Sequence, residues 1–374
     1  MQLLRIFKRI LDRLFFQAFH SITSKRKVAA APTVMIVRTD GMGDFVFFTR
    51  YLPCLRRFYK VHRFVLVCRS ETSPLASGLS FVDKVIDFKY LRYRWNYLHR
   101  LRVLRRIRGE RPAIAIYASF HREHIGDEMT LLSGAVKTIA FNGNDEIIHP
   151  AMRMKNDRYY TTIVYTEDHI PEKAKYQVLL KALGISDDNV EEEPTIKDHA
   201  RFVTENPQSI PGKPYVVIGP GGSAEIRRWP AARFASVANA LESPFIVLCG
   251  SSQERSLLEE IAGQMKQKPM VMAGYPIQTI AQVIKSAQLF LGNESGLLHL
   301  AASFGTRAIG ILGGGHFARY FPYGSVRIVS HKLPCYECNW KCPYPEPYCI
   351  TNITVGDVLK EIESLDLLES PVIK

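Results

Sequence analysis

A short acidic turn near the start of the chain is the first place where residue types and spacing could do chemistry. Residues 34–44 read VMIVRTDGMGD, an apolar strand followed by two glycines and an aspartate at the mouth of a helix. Gly41 and Gly43 permit a tight turn, and the helix N-terminus favours the ionised carboxylate of Asp44. Because ligands of parallel sheets lie beyond the carboxyl ends of the strands, Asp44 is a candidate general base. The alternative is that Asp44 only caps the helix.

A glycine-rich loop in the second half has the composition of an anion site. Residues 219–230 read GPGGSAEIRRWP and follow an apolar strand. Such a loop can present backbone N–H groups and the Ser223 hydroxyl to a phosphate. Arg227 and Arg228 could neutralise a diphosphate leaving group. A glycine-rich loop alone is a weak signal, and the two following arginines strengthen it.

A second candidate anion site lies at residues 292–299, which read GNESGLLH. Ser295 and Gly296 would open a helix and offer N–H groups to a phosphate, and His299 would follow one turn later on the same face. Glu294 could accept hydrogen bonds from a ribose or a base. The alternative is that Glu294 or Ser295 is an N-cap and His299 a buried, hydrogen-bonded histidine.

Cysteines cluster late in the chain with the spacing C-x2-C-x3-C-x6-C. The four are Cys335, Cys338, Cys342 and Cys349. Thiols so close together predict a structural Zn or Fe site, since four thiolates leave no open position for chemistry. Free thiols or a disulfide are the alternatives, and a disulfide is disfavoured in a reducing cytoplasm. Three glycines at 313–315, which follow an apolar strand, indicate close approach of the backbone to a ligand that His316 and Arg319 could contact, or else a flexible loop.

The elements that must position these residues alternate between strand and helix. Short apolar strands separated by helical stretches run from residue 33 to about 185, and the same pattern restarts at residue 215. This order is typical of βαβ units around a parallel sheet. Within the first half, residues 93–108 predict one basic helix with an apolar stripe of Trp95, Leu98, Leu101, Leu104 and Ile107. The sequence predicts an α/β protein with two Rossmann-like domains facing across a cleft.

Charge is distributed unevenly along the 374 residues. Residues 1–110 contain 23 Lys and Arg against 7 Asp and Glu, an excess of 16, whereas the whole chain carries +13. The basic part therefore predicts an anionic partner, either a phosphorylated glycolipid, a membrane surface or nucleic acid. No nucleic-acid-binding module is recognisable, so we expect no nucleic acid partner. A dinucleotide-dependent oxidoreductase is disfavoured because the G-x-G-x-x-G fingerprint is missing.

The first 27 residues form a segment of their own. Apolar residues recur every three or four positions with basic residues between them, and a basic triplet follows at 25–27. This pattern predicts an amphipathic helix that lies on a membrane surface. Packing of the helix on its own domain is the main alternative, and a signal peptide is disfavoured because charges interrupt the apolar stretch.

Four stretches together resemble glycosyltransferase family 9, the lipopolysaccharide heptosyltransferases and their relatives. They are VRTDGMGD at 37–44, GPGGSAEIRRWPAARFA at 219–235, LGNESGLLHLAASFGT at 291–306 and FPYG at 321–324. The resemblance implies a GT-B fold and an inverting transfer of heptose from ADP-heptose that needs no catalytic metal. It places the catalytic aspartate on Asp44 and donor contacts on Ser223, Arg227, Glu294, Ser295, Gly296 and His299. The family usually has Asp where this chain has Glu294, and commonly Lys where it has Arg227.

Sequence and resemblance together predict a cytoplasmic, inverting glycosyltransferase, peripheral at the inner membrane. The donor is a nucleotide-sugar, with an ADP-sugar favoured, and the acceptor is an anionic glycolipid or glycan such as the lipopolysaccharide core. Gly41, Gly43, His121 and Arg122 are candidate acceptor or cleft residues. The alternatives are another nucleotide-sugar donor, a protein acceptor, or a non-catalytic relative that binds glycan or nucleotide.

The predicted organisation has five segments. They are the basic helix at 1–27, an acceptor-binding domain at 28–190, a linker at 191–213, a nucleotide-sugar-binding domain at 214–350 with its Cys-rich loop at 334–350, and a C-terminal helix at 351–374. The linker is placed where acids and prolines accumulate between the two strand–helix patterns.

Overall fold

In a computed structural model, the chain divides into two compact units. The first comprises Met1–Gly41 and Tyr51–Val190, and the second comprises Met42–Arg50 and Glu191–Lys374. The structure describes residues 8, 11, 12, 14–17, 32–186, 190, 196, 214–241, 245–316 and 319–365. Most of the predicted 1–27 helix, nearly all of the predicted linker and the chain beyond residue 365 lie outside the described residues.

The first unit is built on a six-stranded, wholly parallel sheet. Its strands are β1 (Thr33–Val37), β2 (Arg63–Arg69), β3 (Lys84–Phe88), β4 (Ile114–Tyr117), β5 (Lys137–Phe141) and β6 (Thr162–Val164). They lie in the order β3-β2-β1-β4-β5-β6. This is the strand order of a Rossmann fold, with the order reversing between β1 and β4.

Helices connect these strands. After α1 (Met42–Phe48), which belongs to the second unit, they are α2 (Leu52–Phe58), α3 (Ser73–Ser77), α4 (Tyr90–Trp95), α5 (Tyr97–Gly109), α6 (His124–Leu131), α7 (Pro150–Asp157) and α8 (Glu172–Ala182). Strand β1 reads TVMIV and is buried throughout, as expected of a parallel strand covered by helices on both faces.

The second unit repeats the same topology. Its strands are β7 (Val216–Gly219), β8 (Ile246–Gly250), β9 (Met270–Ala273), β10 (Leu289–Asn293), β11 (Ala308–Ile311) and β12 (Val326–Val329). They are all parallel, in the order β9-β8-β7-β10-β11-β12. The helices are α9 (Ala231–Ala240), α10 (Arg255–Gly263), α11 (Ile277–Lys285), α12 (Gly296–Ser303), α13 (Tyr348–Thr351) and α14 (Val355–Glu363). The prediction of two Rossmann-like domains is confirmed.

The predicted single helix over 93–108 is two helices. Asn96 has extended backbone, and its side chain accepts a hydrogen bond from the His99 N–H at 2.9 Å, which caps the start of α5. The predicted apolar stripe is wrong at its first two positions, because Trp95 is 64% exposed and Leu98 is 69% exposed. Trp95 leaves the stripe because it belongs to α4, which ends before Asn96. Leu98 lies within α5, where each step of three residues falls about 60° short of a full turn, so the buried face follows Arg100, Val103, Leu104 and Ile107 instead.

The described residues near the N-terminus pack on the first unit. The carboxylate of Asp12 accepts hydrogen bonds from Lys8 at 2.8 Å and from Arg100 Nη1 at 2.5 Å. Phe16 is buried in the core of this unit. For these residues the structure favours packing on the chain's own domain, the alternative left open by the sequence.

Candidate functional site

Asp44 lies in the first turn of α1, and side chains of the same unit contact its carboxylate. Its Oδ1 accepts a hydrogen bond from the Tyr320 hydroxyl and lies 3.4 Å from Arg319 Nη2. The Asp44 side chain is 33% exposed. Two donors on one oxygen fix the orientation of a carboxylate that solvent still reaches, which is a geometry suited to a base.

Glycines at 43 and 296 let α1 and α12 approach each other closely. A Cβ on Gly43 would lie 2.8 Å from His299 Cδ2, and a Cβ on Gly296 would lie 2.3 Å from Met42 Cε. The second glycine of the GMGD motif therefore accommodates a helix–helix contact. Gly41, in contrast, is exposed and belongs to the first unit.

His299 is buried in an aromatic pocket of the second unit. Its Nδ1 lies 2.8 Å from the Tyr323 hydroxyl, and its ring stacks on Phe321 and meets Tyr320 edge-on. Burial lowers the pKa of His299 to about 4, with Asp44 opposing and nearby arginines adding to the effect. The imidazole is therefore neutral near pH 7. This environment favours the buried, hydrogen-bonded histidine over a cationic phosphate ligand.

Arg227 connects the glycine-rich loop to the start of α12. Its Nη1 donates to Ser223 Oγ at 2.7 Å, and its Nη2 donates to Glu294 Oε2 at 3.3 Å. Burial raises the pKa of Glu294, while Arg227 and Arg319 act in the opposite direction. Ser295 is the N-cap of α12 and makes no side-chain hydrogen bond to the first turn. The predicted residues Ser223, Arg227 and Glu294 are thus brought together around one guanidinium.

Hydrogen bonds with two side chains outside the glycine-rich loop hold its backbone in place. Glu254 Oε1 accepts the Gly222 N–H at 3.1 Å, and a Cβ on Gly221 would lie 2.1 Å from that oxygen. Asn293, fully buried at the end of β10, donates to the Pro220 carbonyl at 2.6 Å and accepts the Trp229 N–H at 3.0 Å. Sequence reasoning missed Glu254 and Asn293 as supports, because their contacts lie tens of residues away along the chain.

The glycines at 313–315 face the chain's own aromatic residues. A Cβ on Gly314 would lie 2.1 Å from Tyr336 Cδ1, and a Cβ on Gly315 would lie 2.3 Å from Trp340 Cε2. Aromatic side chains of the Cys-rich loop, and not a ligand, therefore lie against the backbone of these glycines. Trp340, at a φ of 58°, also stacks on the Arg227 guanidinium with 4.9 Å from Cζ to the ring centroid. The sequence did not predict this contact.

The four clustered cysteines are all among the described residues, with Cys349 buried and the other three half-buried. Burial raises the pKa of the Cys349 thiol, and the other three thiols add to the increase. Their donor chemistry fits Zn or Fe. Among the described residues, however, no three His, Cys, Asp or Glu side chains lie close enough to hold a metal ion. The structural metal therefore stays a prediction, which metal analysis of the purified protein tests.

The two candidate residues after β4 differ in their surroundings. Arg122 is fully buried, with its guanidinium paired to both oxygens of Asp127 at 2.9 Å and to Asp157 at 2.6 Å. It stabilises the interior of the first unit, a placement that does not favour acceptor contact. His121 is half-buried, with Nε2 at 3.3 Å from Glu146.

Comparison with known families identifies the chain. The family model described as glycosyltransferase family 9 (heptosyltransferase) matches residues 152–346, just over half of the sequence. The chain belongs to this family. It is similar to lipooligosaccharide heptosyltransferase 2 of Campylobacter jejuni, with 29% identity over 164 residues that cover 41% of this chain and 52% of the relative. The chain thus spans about half the length of the curated relatives it matches.

Solved structures extend the likeness of this family 9 chain to nearly its full length. The glycosyl transferase family 9 protein of Veillonella parvula superposes with a TM-score of 0.74 and 18% identity, covering 92% of this chain and all of the other. E. coli heptosyltransferase WaaC with ADP-2-deoxy-2-fluoro heptose superposes with a TM-score of 0.67 and 18% identity, covering 89% and 99%. These likenesses establish the GT-B fold of two Rossmann-like domains.

In the described part of the family 9 chain, no helix combines the length and the apolar character needed to cross a bilayer.

Tyr320 and Trp340 are two further side chains of the candidate site that the sequence of this family 9 chain did not reveal. Tyr320 directly precedes the FPYG stretch at 321–324, and Trp340 lies inside the Cys-rich loop. Tyr320 thus lies beside a recognised stretch and Trp340 within one, but only the structure shows that these side chains reach Asp44 and Arg227.

Proposed function

We propose that the chain is an inverting heptosyltransferase that transfers heptose from ADP-heptose to a lipopolysaccharide-core or related anionic glycolipid acceptor. The observation that carries the proposal is the grouping of Asp44 with Arg319, Tyr320 and the Arg227–Glu294 pair in one unit of a family 9 chain. The names of the relatives support it, because one is a lipooligosaccharide heptosyltransferase and another was solved with an ADP-heptose analogue.

In the proposed reaction, Asp44 removes the proton of the acceptor hydroxyl. The hydroxyl oxygen attacks the anomeric carbon from the face opposite the diphosphate, and the bond from that carbon to the diphosphate oxygen breaks. Inversion follows from this single displacement. The proton stays on Asp44 until solvent removes it, and Tyr320 and Arg319 hold the side chain in place meanwhile.

The leaving diphosphate carries the charge that develops in this step. Arg227 and the Ser223 hydroxyl lie 2.7 Å from each other and would bind its oxygens. The N-terminus of α12, at Ser295 and Gly296, adds backbone N–H donors. Glu294 would accept a hydrogen bond from the nucleoside while keeping Arg227 in place. These groups can stabilise the diphosphate, so we expect no metal requirement for transfer.

We assign the anionic acceptor to a basic depression of the first unit. An open depression of about 650 Å³ lies beyond the ends of β2 and β3, where ligands of parallel sheets bind. It is lined by Arg69, Ser70, Glu71, Lys89, Tyr90, Leu91 and Arg92. Three cations against one acid favour a phosphorylated glycan over a neutral one. A lipid-anchored acceptor of this kind would bring the enzyme to the cytoplasmic surface of the inner membrane.

The test combines nucleotide binding with transfer. Calorimetric titration with ADP, UDP, GDP, CMP and NAD is expected to give selective ADP binding. Transfer from ADP-heptose to a heptose-deficient lipopolysaccharide core is then compared between wild type and Asp44→Asn. Loss of the base is expected to lower kcat by about 10²–10⁴-fold while ADP affinity and thermal stability stay near wild type.

Each other outcome replaces part of the proposal. Selective UDP or GDP binding would keep the fold and the base but change the donor. Transfer to a protein and not to the glycolipid would change the acceptor. ADP binding without any turnover by wild type would indicate a non-catalytic relative. An Asp44→Asn variant that folds and transfers at the wild-type rate would falsify the role of Asp44.

A further inference from the structure

The first unit exposes large apolar side chains on two consecutive helices. Leu91 is 69% exposed and Trp95 64% exposed on α4, and Leu98 is 69% exposed on α5. Leu91 and Trp95 are four residues apart in one helix and so share a face. Three large apolar side chains exposed within eight positions indicate a surface that meets a partner, whereas single exposed ones need no explanation.

The same stretch carries a dense positive charge. Residues 88–109 contain eight Lys and Arg and no Asp or Glu. Six of these cations are exposed, namely Lys89, Arg92, Arg94, Arg102, Arg105 and Arg106. Arg106 pairs with Asp87 at 3.4 Å, and Arg94 lies against the Trp95 ring at 5.6 Å from its centroid. The surface formed by Leu91, Trp95, Leu98 and the six cations is named the α4–α5 face below.

We propose that the α4–α5 face docks on an anionic lipid bilayer. Leucine and tryptophan beside arginine is the composition of helices that lie in a membrane interface, with the apolar groups among the acyl chains and the cations at the phosphates. A nucleic acid would use the cations but leave Leu91 and Leu98 in water. The proposal concerns a part of the chain separate from the 1–27 segment and does not depend on sugar transfer.

The position of the face fits a lipid-linked substrate. Leu91 and Arg92 belong both to the α4–α5 face and to the lining of the basic depression. A glycolipid headgroup could therefore enter the depression while its anchor stays in the bilayer beside Leu91.

Vesicle flotation of the full chain tests the proposal without any substrate. Binding to phosphatidylglycerol–phosphatidylethanolamine vesicles is expected, with weak binding to phosphatidylcholine and partial loss in high salt. The double variant Leu91→Ser/Leu98→Ser is expected to bind at least about 10-fold more weakly. The matched control Val61→Ser/Val136→Ser removes two exposed valines of the same unit, 74% and 58% exposed, and is expected to bind as wild type.

Tryptophan fluorescence gives a second, site-specific measurement. The chain has three tryptophans, of which Trp229 is buried and Trp340 half-buried. Vesicles are expected to shift the emission to the blue, and Trp95→Phe is expected to abolish the shift while leaving flotation nearly intact.

The proposal is overturned if the wild-type protein does not bind anionic vesicles, or if the leucine double variant binds them as tightly as the valine control does. In the first case, self-association in sedimentation velocity that the leucine variant loses would assign the face to a second copy of the chain. ADP titration of every variant shows that it is folded and separates this outcome from failure of the transferase proposal.

Discussion

At the scale of single residues, the hydroxyl of Tyr320 is the contact that most directly concerns catalysis. It donates to Asp44 Oδ1, while the ring packs edge-on against Phe47 at 5.2 Å. Tyr320→Phe keeps the ring and removes only the donor. We expect kcat to fall about 10-fold, in line with loss of one hydrogen bond to a charged group, with little change in the donor KM.

The control for this variant is Tyr275→Phe, which removes a hydroxyl from a tyrosine that is 44% exposed. It is expected to match wild type in both kinetic constants. Unchanged kcat in Tyr320→Phe would mean that Asp44 needs no orienting donor from this tyrosine.

A second prediction concerns the pH dependence of stability. The pKa of His299 is about 4 in the folded chain and 6.5 in the unfolded reference. Between these values the unfolded chain binds more protons, so unfolding becomes easier as the pH falls from about 6.5 towards 4. The full difference corresponds to on the order of 3 kcal/mol. Above pH 7 this contribution is complete and constant.

Urea midpoints at pH 5 and pH 7 measure the effect. His299→Asn retains a polar group near Nδ1 and is expected to lose less stability than wild type over this interval, although it starts from a lower value. His169→Asn, in which the replaced side chain is 78% exposed, serves as the control and is expected to behave as wild type. Equal pH dependence in wild type and His299→Asn would contradict the prediction.

The sequence was sufficient to select the candidate site residues, but it did not show which side chains contact them. Asp44, Ser223, Arg227 and Glu294 stand out because a carboxylate, a hydroxyl and a guanidinium follow strand ends or glycines. The partner of Asp44 is 276 positions away, at Tyr320. Nothing in local spacing joins such residues, and only the packing of the folded unit does.

At the scale of elements, the Cys-rich loop acts as a support for the glycine-rich loop. Its residues Glu337, Asn339 and Trp340 have φ values of 67°, 49° and 58°. The left-handed region is costly for side chains other than glycine, so surrounding contacts must hold this turn. The N–H groups of Glu337 and Asn339 donate to the carbonyls of Gly314 and Gly315. The turn thereby brings the Trp340 ring onto Arg227.

This arrangement predicts that a substitution at Trp340, to which no direct donor contact is assigned, weakens donor binding. Trp340→Ala removes the stacking partner of Arg227 and is expected to weaken ADP binding about 5–10-fold, as expected for loss of a cation–π contact. Trp340→Phe should recover part of the affinity. Tyr344→Ala, in the same loop and in contact with Tyr348, should bind ADP as wild type. Equal ADP affinity in Trp340→Ala and wild type would remove Trp340 from the donor site.

Helix boundaries show why periodicity alone misplaced the α4–α5 face. Residues 93–108 contain an apolar residue at every third position from Trp95 to Ile107, which predicts one continuous helix with a single apolar stripe. Asn96 ends α4 and caps α5, so Trp95 is separated from the stripe. Within α5 a spacing of three residues drifts about 60° per step from the helical turn, which leaves Leu98 off the buried face. A capping asparagine was present in the sequence, but an uninterrupted basic and apolar pattern concealed it.

At the scale of the whole molecule, one segment belongs to a different unit from its neighbours in sequence. Strand β1 belongs to the first unit, whereas α1, which carries Asp44, belongs to the second. The sequence predicted both Rossmann-like domains, since each strand–helix alternation is local. It could not predict this assignment, because the glycine contacts between α1 and α12 join residues more than 250 positions apart.

The assignment predicts where a nucleotide protects the chain. All proposed donor contacts, and Asp44 with them, lie in the second unit. Hydrogen exchange in the presence of ADP is therefore expected to slow in the segments around 219–229 and 292–299 and to stay unchanged in β2, β3 and the basic depression. Arg227→Ala should abolish the protection, while Arg233→Ala, whose guanidinium bonds the Thr351 and Ile353 carbonyls, should retain it. Protection centred on the basic depression would instead place the donor site in the first unit. The groups near Asp44 would then not bind the donor, and the proposed mechanism would lose its basis.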